Sequence, residues 1–104
     1  MSSAFVVVLL IHLHFPDTGS LKGKRKELSS VKAQLHGRLG AAVAEIEHQD
    51  LWQRSTLAAT LVSSSATKLE TAADGVERWL DARFPEGVRV ERIFTSVDDL
   101  RGLG

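Results

Sequence analysis

Lys22, Lys24, Arg25 and Lys26 stand almost side by side at the start of a stretch that also holds Lys32 and Arg38, and only Glu27 opposes them between Ser20 and Arg38. Ammonium and guanidinium groups at that density can displace counterions from an RNA backbone and hold its phosphates. Their ordinary role is to keep one face of a helix solvated. The whole chain is formally neutral, with 13 Lys and Arg against 13 Asp and Glu, so the remainder is correspondingly acidic. That balance argues against a protein that coats nucleic acid indiscriminately.

A second group lies in "EHQDLWQRST", residues 47–56. A connection that only turned the chain would carry Asn-Gly or Asp-Gly, which accept positive φ cheaply. Here His48, Gln49, Asp50, Trp52 and Arg54 offer a partner surface instead. The indole can stack on a base, and the guanidinium can fork onto a phosphate. Trp52 is read first as a packing residue that closes one end of a sheet. Asp50 is a turn residue or a partner for Arg54, and Gln53 and Glu45 hydrogen-bond around the same hairpin.

His12 and His14 alternate along a strand and project from one face, where His48 or Asp50 can approach. Such a set resembles metal ligands or an acid–base pair. Histidines at the end of an apolar strand are more commonly structural, and no nucleophile or cofactor motif accompanies these. Ser63, Ser64 and Ser65 read as a loop and helix cap. The chain has no cysteine, which excludes disulfides, thiolate zinc sites and cysteine nucleophiles and fits a reducing cytoplasm. The expectation is therefore a cytoplasmic protein with no metal, no cofactor and no enzymatic activity.

These groups need elements to hold them. "AFVVVLLIHLHF" has no Lys or Arg before it and no cleavage site after it, and histidines interrupt it short of the roughly 20 residues of a membrane span. Its β-branched residues predict a strand. "FPDTG" ends it, because Pro16 cannot donate to a ladder and Gly19 permits a turn. Ser20 then caps a helix whose Leu21, Leu28, Val31, Leu35 and Leu39 recur at helical spacing, and Gly37 and Gly40 close it. Residues 41–48 and 51–62 form two strands joined at the quoted stretch. A second helix follows "SSSAT", buries Leu69, Ala72, Ala73, Val76 and Leu80, and ends near Phe84. "VRVERIFTSV" alternates apolar and charged residues as an edge strand should. Residues 97–104 are expected to form a loose tail.

Strand, helix, strand, strand, helix, strand over residues 1–104 predicts one α+β domain. The expected fold is a ferredoxin-like βαββαβ sandwich, a four-stranded antiparallel sheet with two helices on one face. That topology brings His12, His14, the basic helix start and the hairpin to one end of the sheet. It also leaves Val6, Val8 and Leu10 on the uncovered face, where a second subunit would remove their exposure. An RNA-recognition domain of this fold would carry several aromatic residues on its central strands, and only Trp52 stands at the end of one.

"SLKGKRKEL" and the hairpin together resemble the YlxP-like family (DUF503), small bacterial proteins described as a domain of unknown function. The matching positions are Ser20, Leu21, Lys22, Lys24, Arg25, Ala44, Glu45, Asp50, Trp52, Gln53 and Arg54. Gly23 departs from the charged residue usual there, and glycine costs a helix about 1 kcal/mol relative to alanine. The resemblance implies the ferredoxin-like fold but no catalytic residue. Genes of that family often lie among those for translation initiation, transcription elongation and ribosome maturation, which implies a role near the ribosome or RNA. The expected function is a non-enzymatic, ribosome-associated accessory factor that contacts ribosomal RNA or a ribosomal subunit through Lys22, Lys24, Arg25, Lys26 and Arg54. The alternative is a homodimeric interaction module acting through Val6, Val8 and Leu10.

Overall fold

The computed structural model describes residues 4–16 and 19–103, so the middle of the expected "PDTG" turn lies outside the described residues. The elements run β1 (Phe5–His14), α1 (Leu21–Gly37), β2 (Ala42–Glu47), β3 (Arg54–Ser63), α2 (Ala66–Arg83), β4 (Val88–Ser96) and α3 (Val97–Leu103). The fold is α+β, with an open four-stranded antiparallel sheet in the order β2-β3-β1-β4 and three helices. β1 and β3 are therefore central and β4 is an edge.

Alternation along β1 decides which face is buried. Val7, Leu9, Ile11 and Leu13 point into the core, where they meet Leu28, Val31 and Leu35 of α1 and Leu69, Ala73, Val76 and Leu80 of α2. Both long helices thus cover one face. Ala72, expected among the buried residues, is exposed: Ala73 and Val76 hold the inward stripe of α2. Each helix is capped as its sequence suggests. Gly23 N–H donates to Ser20 Oγ over 3.0 Å, and Lys68 N–H donates to Ser65 Oγ over 3.2 Å. The first turn of α1 is formed despite Gly23. Past its end, Gly40 takes a left-handed φ of 72° and donates to the carbonyl of His36, which turns the chain into β2.

Residues 97–103 correct the expectation of a loose tail. They form α3, started by Ser96, whose Oγ accepts from Asp99 N–H at 3.0 Å, with Asp98 and Asp99 in the first turn. Both carboxylates favour that end of the helix dipole. Val97 N–H also bonds the carbonyl of Ala4, fastening α3 to the start of β1. Among the described residues, no helix is long and apolar enough to cross a membrane.

Candidate nucleic-acid interface

The register pairs His14 with Arg54 and His12 with Thr56, so the β2–β3 hairpin sits at the end of the sheet where β1 finishes. Phe15 N–H bonds the carbonyl of Gln53 and extends that contact by one residue. The hairpin turns at His48, whose carbonyl accepts from Leu51 N–H and whose φ is 66°. A histidine thus occupies the left-handed conformation usually given to glycine, at a cost on the order of 1–2 kcal/mol. A register shift between Glu45 and Glu47 marks a bulge just before it.

What holds this turn is Lys24. Its ammonium lies 3.1 Å from Glu45 Oε2 and donates to the carbonyl of His48, while Ser55 Oγ donates to Glu45 Oε2 over 2.6 Å. Lys24 is 1% exposed and the Glu45 side chain 17%. Lys24 is therefore removed from the set of nucleic-acid contacts. It occupies the inward stripe of α1 with Leu28, Val31 and Leu35, and its charge is consumed inside the fold. Glu45, expected to hydrogen-bond around the hairpin, does so through Ser55 and is also the ion-pair partner of Lys24.

Lys22, Arg25 and Lys26 are exposed and, at relative positions i, i+3 and i+4, share the outer side of the first turns of α1. No acid stands in the first turn of that helix. Leu21 then bridges to the hairpin: it lines one shallow depression of about 270 Å³ with Asp50, Leu51, Trp52, Gln53 and Arg54. Trp52 is 47% exposed, so it does not close the end of the sheet as a packing residue would. Arg54 is exposed as well. Asp50 makes no ion pair with Arg54 among the described residues, and neither Arg54 nor the three outer cations of α1 is held in one there.

The histidines do not converge. His12 sits on the open face, its Nδ1 3.3 Å from Thr56 Oγ1 and its Nε2 3.5 Å from Glu91 Oε1. His48 approaches Glu47 at 3.8 Å, and His14 lines a different depression with Phe15, Glu27 and Arg83. Among the described residues no three His, Asp or Glu side chains group closely enough to hold a metal ion. Gln49 hydrogen-bonds the carbonyl of Glu45 and so braces the bulge. Beside His12, the Arg89 guanidinium bonds Glu91 at 2.7 Å and holds that carboxyl below its ordinary value, with His12 adding to the effect.

Comparison with known proteins shows the family and the fold. Residues 6–92 match the family model "Protein of unknown function (DUF503)". The chain is 34% identical over 82 residues to "Uncharacterized protein YlxP" of Bacillus subtilis (strain 168), covering 79% of this chain and 85% of that protein. Among solved structures, the "De novo designed protein Foldit4" is similar in fold, with a TM-score of 0.62 at 12% identity, over 89% of this chain and 97% of the designed one.

Proposed function

This chain belongs to the DUF503 family of YlxP-like proteins, and we propose that it acts in the cytoplasm by binding and not by catalysis, as an accessory factor that contacts RNA or the ribosome. The observation that carries this reading is a juxtaposition. Exposed Lys22, Arg25 and Lys26 follow Leu21 on the first turns of α1, and Leu21 shares a depression with the half-exposed Trp52, with Asp50 and with Arg54. Cations beside an accessible indole suit the two chemistries of single-stranded RNA, its phosphates and its stacking bases. Lys24 takes part indirectly, by fixing the hairpin against α1. The element order and the strand order β2-β3-β1-β4 support a ferredoxin-like fold, extended by α3.

A salt titration tests the reading. Four phosphate contacts, by Lys22, Arg25, Lys26 and Arg54, give a slope of about −3 for log K against log salt on single-stranded RNA. A slope near zero would mean that these cations touch no phosphate.

A further inference from the structure

The sheet face away from α1 and α2 is uncovered, and the strand register fixes what it presents. On its β2–β3 half the side chains are short, Ala42, Ala44, Ala58 and Thr60, apart from Val62, which is 68% exposed beside Val6. On its β1–β4 half they are long: Val8, Leu10 and Ile93, the last 52% exposed. Charged side chains lie toward one end. There Glu91 stands beside Leu10 and bonds Arg89 at 2.7 Å, while Glu47, at the β2 edge, and Arg89, at the β4 edge, bound the next row, which passes through Thr56 and His12.

We propose that this face is the interface of a homodimer whose two-fold axis runs along the strands, between β3 and β1. That operation lays β2 of one copy across β4 of the other, and β3 across β1. The short half of each copy then receives the long half of its partner, as two sheets packed about 10 Å apart require. The same operation brings Glu47 of each copy across from Arg89 of the other, twice in the assembly. A two-fold axis across the strands would instead set β2 on β2 and β4 on β4, alanines on alanines and Ile93 on Ile93. The occupant is a second copy because the short and long halves of this one surface match under that operation, with Glu47 meeting Arg89 and with Glu91 lying against the short Ala44 while it stays bonded to its own Arg89. Four strands at about 4.8 Å and eight residues at about 3.3 Å give a face on the order of 500 Å². Two such faces reach the roughly 1,000 Å² at which specific interfaces begin.

The test is sedimentation equilibrium of the full chain, with Glu47→Arg, Arg89→Glu, the double exchange and Val8→Lys alongside. The wild type dimerises at concentrations below ~100 μM. Each single reversal sets like charges together twice and weakens dimerisation about 10-fold or more. The double exchange, which loses the bond from residue 89 to Glu91 just as Arg89→Glu does, binds more tightly than Arg89→Glu alone. Val8→Lys gives a folded monomer by circular dichroism. A wild type that stays monomeric throughout overturns the proposal. So does a dimer indifferent to both reversals, or a double exchange no tighter than Arg89→Glu alone.

Discussion

Replacing Lys24 by Met would test whether this residue belongs to the fold or to the surface. Its ammonium is buried 3.1 Å from the Glu45 carboxylate. Coulomb's law at an effective dielectric near 20 gives about 5 kcal/mol of attraction at that distance, from which the desolvation of both groups must be subtracted. The variant does not merely lose that remainder. It strands Glu45 beside Ser55 with its cation gone, and breaking a buried pair from one side costs about 3–5 kcal/mol. Since the Glu45 side chain keeps 17% of its exposure, the lower end applies. A loss of about 3 kcal/mol lowers the Tm of a domain this size by roughly 12–20 °C. The double variant Lys24→Met/Glu45→Met removes both charges and recovers most of the loss. Urea denaturation followed by circular dichroism measures all three proteins. If Lys24→Met unfolds within about 0.5 kcal/mol of the wild type, the ion pair does not hold the hairpin and the reasoning fails.

Two further outcomes follow from local geometry. Ser20→Ala removes the oxygen that Gly23 N–H reaches and costs about 1 kcal/mol in the same denaturation assay, whereas an unchanged midpoint would mean that the cap is not formed. Arg89→Gln lets the Glu91 carboxyl rise toward its ordinary value, read by NMR titration of its side-chain carbon. Because the folded value of Glu91 is depressed, its contribution to stability is present above the unfolded value and lost as pH falls through the folded one. An unchanged titration would assign the shift to something other than Arg89.

Period and punctuation in the sequence carry most of the fold. Val7, Leu9, Ile11 and Leu13 alternate, Leu28, Val31 and Leu35 recur at helical spacing, and both reappear as the inward stripes of β1 and α1. The position of Lys24 was also legible: it lies four residues before Leu28 and three after Leu21, on the apolar stripe itself. A charge on that stripe signals a buried partner, and Glu45 supplies it from an element distant in sequence, which spacing alone does not reveal. α3 was signalled by Ser96 followed by Asp98 and Asp99, a cap with acids in the first turn, but seven residues carry too little apolar periodicity to stand out. The left-handed His48 was hidden because the Lys24 bond to its carbonyl comes from tertiary structure. Trp52 remained ambiguous in the sequence, since an indole at the end of a strand serves packing and stacking equally well. In the fold it is 47% exposed beside Leu21 of α1, an element distant in sequence.

The most direct test of the account is binding to isolated ribosomal subunits and to naked ribosomal RNA, at low and near-physiological salt, by the wild type and by the triple variant Lys22→Glu, Arg25→Glu, Lys26→Glu. These three side chains are exposed and Lys24 is left in place, so the variant keeps its fold. The expected result is saturable binding by the wild type that survives near-physiological salt and is lost in the variant. Equal binding by both proteins, or no binding beyond that of an unrelated neutral protein, would contradict it.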